Sequence, residues 1–553
     1  MKRKTTILLL FALLSTQLMT FCEGCSSADN NSETYLKTSI TSETSGGLEE
    51  STNEAVFSDV YEVKTEEAYE TGSTTKGTAY TETESDSKAV SESYSKITEN
   101  DFISTKKNDT STFSTDVDTA SYSNIRRMIN NGYSMYEIPA DAVRIEEMLN
   151  YFSYDYTEPE NNEPFGVSMQ STKCPWNTEN NIVMIGLNTE KVDFEDAPDS
   201  NLVFLLDVSG SMSDSNKLPL LTKAFTLLAN ELDAKDKVSI VTYAGEDKVL
   251  LEGVSGNQKD KILSTLDSLE ASGSTNGSAG IETAYKLAKE NFIEGGNNRV
   301  ILATDGDLNV GITDDEELEK FITKKKDDGI FLSTLGFGMG NYKDAKLELL
   351  ADKGNGNYAY IDSLTEAKKV MVKEMGANFT TVAKDVKLQV AFNPDVVEEY
   401  RLIGYENRVM ENEDFEDDTK DAGEIGSGHS VTALYEVKMT DDYTQSKETN
   451  ITELVEDNYA YDWMTLKIRY KKPEGNKSKE LSYTCSDTDY SETPSDDLAF
   501  AMAVAEFGMI LRNSEYKGEG SFDQVIQLAK QTDTSKDIYK SEFVKLVSTL
   551  AIR

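Results

Sequence analysis

Three short stretches, far apart in the chain, hold the residues able to do chemistry together. They are "DVSGS", with Asp207, Ser209 and Ser211; "GSTN", with Thr275; and "ATDGD", with Asp305. Every one of these side chains ends in oxygen. Carboxylate and hydroxyl oxygens around one point suit a hard divalent cation, Mg2+ first, with Mn2+ or Ca2+ as substitutes, far better than zinc or copper. Two aspartates against three neutral hydroxyls would leave a bound ion much of its positive charge. Octahedral magnesium keeps water wherever the protein supplies few ligands, and an incoming carboxylate can displace one such water. The expected site therefore solicits an acid from a partner. Singly the motifs say little, because Asp-x-Ser-x-Ser can cap a helix and Thr-Asp-Gly can be an ordinary turn.

Elements must bring these stretches together. From Asn201 to about Gly376 apolar strands alternate with amphipathic helices, which predicts an α/β fold: a doubly wound, mostly parallel, Rossmann-like sheet covered on both faces. Strands are expected at Leu202 to Leu206, Val238 to Tyr243, Val300 to Ala303, Ile330 to Leu335 and Tyr358 to Ile361. Helices are expected around Leu218 to Leu232, Lys259 to Leu269, Ala279 to Asn291, Asp315 to Lys326, Lys343 to Ala351 and Leu364 to Met375. "DKVSIVTYA" and "DKVLLEGVSG", joined by "GE", read as a hairpin that gives the sheet an antiparallel edge. In such sheets ligands sit at the carboxyl ends of the strands, and Asp207 lies there. Gly336, Gly338 and Gly340 in "LGFGMGN" lack nucleotide-binding spacing and follow a late strand, so they read as turn positions.

The five oxygen-bearing positions, in this order and context, resemble the metal-ion-dependent adhesion site of von Willebrand factor type A (VWA) domains over about residues 195 to 378. The resemblance implies that Ser209, Ser211 and Thr275 coordinate the metal directly and that Asp207 and Asp305 act mostly through water. Outside that domain, "STDVDTASYSNIRRMINNG", "RLIGYENR" and "DAGEIGSGHSVTALYEV" are similar to the flanking regions of a family of bacterial surface VWA lipoproteins.

The remaining sequence surrounds that unit. "MKRKTTILLLFALLSTQLMTFCEGCSSADNN" has a basic start, an apolar run and then small residues, as an export signal does. Gly24-Cys25-Ser26-Ser27 resembles a bacterial lipobox, with Cys25 as the acylated residue, although Cys22 and Glu23 depart from that pattern. The alternative is a simple secretory signal without the lipid. Residues 1–24 are thus expected as a lipoprotein signal peptide and 25–112 as a disordered Ser/Thr/Glu-rich tether. Such a flexible coil of roughly 85 residues would reach on the order of 50 Å. A helical and strand region follows at 113–195, the VWA unit at 196–378, a β-rich, sandwich-like domain at 379–490 and a C-terminal helical region at 491–553. The strands near 165 to 190 are candidates to join the later sandwich. Cys174 and Cys485 are equally open to bonding or staying free. "LAFAMAVAEFGMILRN", interrupted by Glu506, reads as a buried helix rather than a membrane span.

A net charge of −44, from 99 acidic and 55 basic residues, excludes a nucleic-acid backbone as partner. With one histidine, His429, outside the constellation, neither a Ser-His-Asp triad nor a zinc-protease site can be assembled, so no enzyme activity is expected. The leading expectation is an extracytoplasmic binding protein, lipid-anchored to the bacterial cell membrane or envelope through its N-terminus. Its partner would be a protein that presents a carboxylate. The second expectation is an envelope assembly scaffold in which the metal site is only structural.

Overall fold

Alternation along the strand Ser200–Asp207 explains the central architecture. Leu202, Phe204 and Leu206 pack with Leu221, Phe225 and Leu228 on one face, and Val203 and Leu205 with Ile281, Tyr285 and Ala288 on the other. Successive side chains point to opposite sides of a strand, so a run apolar at every position must be buried on both faces. The computed structural model describes residues 92–553 except 162, 192–196, 274–278, 307–311, 313, 375–379, 453–460, 474 and 476, with backbone alone at 448–452. All of them belong to the unit Asp86–Arg553.

The six-stranded α/β sheet has the order Tyr358–Ile361, Phe331–Phe337, Asn297–Thr304, Ser200–Asp207, Lys237–Tyr243, Asp247–Ser255. Neighbours are parallel except the last pair, the expected hairpin. Helices Leu218–Glu231 and Gly280–Glu290 cover its two faces. The expected helix from Leu364 to Met375 ends its α-helical part at Lys368 and continues as a π turn, Lys369–Lys373. That wider turn carries Lys369, whose ammonium lies 4.2 Å from the centre of the Tyr151 ring and pairs with Glu374.

Two antiparallel sheets form a sandwich around this insertion. Asn181–Thr189, paired with Phe165–Lys173 ahead of the α/β unit, pairs on its other edge with Ser430–Met439, which follows the unit and pairs in turn with Val397–Ile403. The facing sheet is built on Thr381–Phe392, Asp462–Lys471 and Ser478–Ser486. Val183, Ile185 and Leu187 of the first meet Leu388, Val390, Leu466 and Ile468 of the second. The opposite face of the first sheet, through Ile182, Met184 and Leu434, packs on Ala120–Asn130 and on the C-terminal helices Asp496–Arg512, Phe522–Ala529 and Ile538–Ile552. Ser495 and Ser521 cap the first two of these, accepting from Leu498 N and Gln524 N.

Two expectations need correction. A tether reaching Thr112 is too long, since Glu92 already pairs with Arg127 and Ile103–Ser104 and Thr110–Ser114 are sheet strands. "TSTFS" buries a single apolar side chain, Phe113, and is held by backbone pairing on both edges, so its composition is that of a linker. The helix Asp441–Thr452, in the β-rich segment, has no apolar stripe to announce it. Cys174 and Cys485 are free thiols, buried in separate apolar clusters. Among the described residues no helix is long and apolar enough to cross a membrane.

Glu506 is buried inside Asp496–Arg512. One carboxylate oxygen accepts Ser521 N–H at 2.9 Å, and the other has no hydrogen-bond partner among the described residues. Burial pushes its pKa up from 4.5 to about 7, against the smaller opposing effect of the Ser521 bond. A carboxyl raised in this way stabilises the fold fully below its unfolded pKa of 4.5 and loses that contribution as pH rises through about 7. Glu506→Gln is therefore expected to change little near about pH 4 and to stabilise the protein near about pH 8 by on the order of 2–3 kcal/mol. Denaturant midpoints at the two pH values check this, and an equal shift at both would exclude Glu506 as the titrating group.

Candidate metal centre

Asp207 is the last residue of its strand and is fully buried. The parallel register pairs Leu206 with Ala303, which sets Asp207 level with Thr304 and next to Asp305. Both its carboxylate oxygens are engaged. Oδ1 accepts Ser209 N–H at 2.9 Å, and Oδ2 accepts the Thr304 hydroxyl at 2.9 Å and, more weakly, the Tyr243 hydroxyl at 3.4 Å. Burial pushes the Asp207 carboxyl up to about 6; the Ser209 bond opposes that rise and the charge of Asp305 adds to it.

Beyond Asp207 the chain turns through Gly210–Ser213, with Ser209 extended at its start. The buried Ser209 hydroxyl lies 3.0 Å from that of exposed Ser211. Gly210 N–H donates to Gly273 O at 3.2 Å, and Ser272 N–H donates to Val208 O at 2.8 Å. The loop leading to Thr275 is thereby tied to the "DVSGS" turn. Thr275 itself lies outside the described residues.

Asp305 is also buried. Its Oδ2 accepts Lys217 Nζ at 2.9 Å, and its buried Oδ1 has no hydrogen-bond partner among the described residues. The glycine of "TDG" is required by geometry: Gly306 has φ +107°, and a Cβ there would lie 2.5 Å from Lys343 N. Its N–H donates to Thr304 Oγ1 at 3.1 Å, so that hydroxyl is oriented to give its proton to Asp207.

Four of the five expected residues are thus gathered at the carboxyl edge of the sheet. Spacing alone overlooks Thr304, Tyr243 and Lys217. The first was visible as the threonine of "TDG"; the other two have no signal beyond lying at a strand end and a helix start. Among the described residues the donor set fits a hard divalent cation: two carboxylates, neutral hydroxyls, no imidazole or thiol, and one buried carboxylate oxygen with no hydrogen-bond partner. Among the described residues no group of three or more His, Cys, Asp and Glu forms an alternative metal cluster.

Residues 201–373 match the family model of the von Willebrand factor type A domain, and residues 88–184 match one described as von Willebrand factor. The fold and this match together define a VWA-domain protein. Residues 377–552 match a model described as "Uncharacterized protein YfbK, C-terminal". The chain is 41% identical over 465 residues to "Uncharacterized protein YfbK" of Escherichia coli (strain K12), covering 82% of this chain and 80% of that one. It belongs to the YfbK family. "Inter-alpha-trypsin inhibitor heavy chain H4" of Homo sapiens is 29% identical over 159 residues, 27% of this chain and 17% of its own length. A solved structure, "von Willebrand factor type A from Catenulispora acidiphila", is 14% identical with a TM-score of 0.39, over 70% of this chain and 90% of that chain.

Thr304→Val keeps the shape and removes the donor, leaving Asp207 Oδ2 with only the long Tyr243 contact. It is expected to destabilise the fold by about 1–3 kcal/mol, while Thr304→Ser retains most of the stability. Denaturant midpoints of the two variants check this, and equal losses would show that shape rather than the hydroxyl matters.

Proposed function

We propose that this chain is an extracytoplasmic binding protein, anchored through lipid on Cys25. In this reading it uses Asp207, Ser209, Ser211, Thr275 and Asp305 to hold Mg2+ and to engage an acidic residue of a protein partner. The observation that carries the reading is Asp305 Oδ1, buried and without a hydrogen-bond partner among the described residues, at the sheet edge that also carries the paired neutral hydroxyls of Ser209 and Ser211. A bound divalent ion would supply a Lewis-acidic centre with an exchangeable position for a carboxylate. The chain's residues do the rest. Ser209 and Ser211 present uncharged oxygen, Asp207 is held by Ser209 N–H and Thr304, and the turn itself is held by Gly273 O. A binding role without turnover is favoured because the chain's single histidine, His429, stands immediately before the sandwich strand Ser430–Met439 rather than at the sheet edge of the candidate site. Cys25 and the export segment lie outside the described residues.

The test is partner capture from native envelope by wild type, Ser209→Ala and Asp207→Ala, each with Mg2+ and with chelator. Wild type is expected to capture a partner with Mg2+ and lose it in chelator, and both variants are expected to lose it under either condition. Capture of every partner by both variants in chelator would refute the reading in favour of a scaffold with a structural metal site. Processing is tested separately: Cys25→Ala should abolish incorporation of labelled fatty acid, and undiminished labelling would remove the anchor.

A further inference from the structure

Lys217 is the least expected participant in the metal centre. Its ammonium is buried and pairs with Asp305 at 2.9 Å, at the edge where Asp207 is also buried. A buried lysine pays a desolvation penalty that pairing offsets only in good geometry, so a fold that keeps one beside a cation site has made structural room for it.

That room is visible. Lys217 stands immediately before the helix Leu218–Glu231; its carbonyl accepts Leu221 N–H at 2.8 Å and its N–H donates to Asp214 O at 3.0 Å. From there its aliphatic stem runs past Gly338. A Cβ at Gly338 would lie 2.4 Å from Lys217 Cε and 2.5 Å from Cγ, and φ at Gly338 is +73°. Gly338 O is held by the Tyr360 hydroxyl, so this side of the channel is fixed. The glycine that sequence spacing assigned to a turn is also the wall along which the lysine reaches Asp305.

Charge then decides what the lysine does. Two buried carboxylates at one edge repel each other, and Lys217 compensates one of them, leaving one net negative charge. A divalent ion added to the same groups turns that into one net positive charge. Without Lys217 the loaded site would be neutral and would have much less attraction for an acid. Lys217 engages Oδ2 of Asp305, while the buried Oδ1 has no hydrogen-bond partner among the described residues, so the lysine's bond does not use up both oxygens of that carboxylate.

We infer that Lys217 is the built-in counter-cation of the metal centre: it opposes divalent-ion binding and keeps the loaded site one charge positive, which makes a monoanionic carboxylate its preferred ligand. This rests on the reading of the site as a Mg2+-dependent acid-binding centre and adds the residue that sets its ligand charge.

The experiment uses the full chain as wild type, Lys217→Met, Lys217→Gln and Lys217→Arg. Mg2+ affinity is measured by calorimetry, and acetate binding to the Mn2+-loaded protein by water-proton relaxation. Lys217→Met is expected to bind Mg2+ about tenfold more tightly or better, because a repelling charge is gone, and to bind acetate about fivefold more weakly or worse for the same reason. Its melting temperature should be lower without metal and rise further on adding Mg2+ than that of wild type. Lys217→Gln, which can still donate to Asp305, is expected to follow Lys217→Met and serves in its place if that variant does not fold. Lys217→Arg should stay within about threefold of wild type in both affinities, since charge is retained. Unchanged or weaker Mg2+ binding by both neutral variants overturns the inference. Tighter Mg2+ with unchanged acetate overturns its ligand-charge half. Absence of Mg2+ binding by wild type overturns instead the reading on which it rests.

Discussion

The parallel register between Ser200–Asp207 and Asn297–Thr304 is the constraint on which the site depends. Two adjacent strands that run the same way finish at the same edge, and here they finish level, so Asp207 meets Thr304 with Asp305 one residue beyond. No loop has to reach across the sheet. The register is itself held by burial on both faces. Odd and even residues of the central strand pack against different helices, so a slip of one residue would present every apolar side chain to the wrong partner. The two following turns then need little else: Ser209 N–H closes back on Asp207, and Gly306 closes back on Thr304.

The sheet is fixed within the protein by ion pairs that are buried or half-buried. Arg126 bonds Asp362 and Glu366, Arg144 bonds Asp344, and Arg408 bonds Asp352 and Asp116. The first four of these acids sit on the inserted α/β unit; the three arginines belong to the flanking helical region and the sandwich. A planar guanidinium holding carboxylates in fixed directions orients what it binds, which an apolar face does not. Such pairs are weak evidence of net stability against an apolar replacement, yet removing one partner of a buried pair costs about 3–5 kcal/mol. Their role in this architecture is to specify how the unit carrying the candidate metal centre is seated in its frame.

Sequence patterning reads this protein well where burial is two-sided and poorly where backbone pairing or a single contact decides. The apolar runs ending at Asp207, Tyr243 and Thr304 show strands, and their alternation with helices implies a parallel sheet whose carboxyl edge would collect Asp207, Ser209, Ser211 and Asp305. The first three residues of strand Thr110–Ser114 are read as tether because four of the strand's five side chains are hydroxyls. The pairing of Asn181–Thr189 with Ser430–Met439, across the whole inserted unit, is open to proposal from sequence but not to derivation, since alternation shows that a strand exists and not which strand it meets. Lys217 is illegible for another reason. Lysines at helix starts are common and solvated, and only the missing side chain at Gly338, more than a hundred positions away, makes room for this one to turn inward.

A protein of net charge −44 that is proposed to bind an acid faces an electrostatic objection, and distance resolves it. Exposed charges are screened beyond about 8 Å at physiological ionic strength, so the bulk of the acidic surface is not felt at a buried site. What an incoming carboxylate meets at contact is the local sum at the sheet edge: two aspartates, one lysine and the ion they would hold. The wider surface gives no long-range steering toward an acidic partner, and association would proceed at an unsteered rate rather than an enhanced one. Selectivity must then reside at short range, in whether a ligand can reach this sheet edge and bring no more than one negative charge. That places the burden of recognition on the few groups that the parallel register brings to one edge.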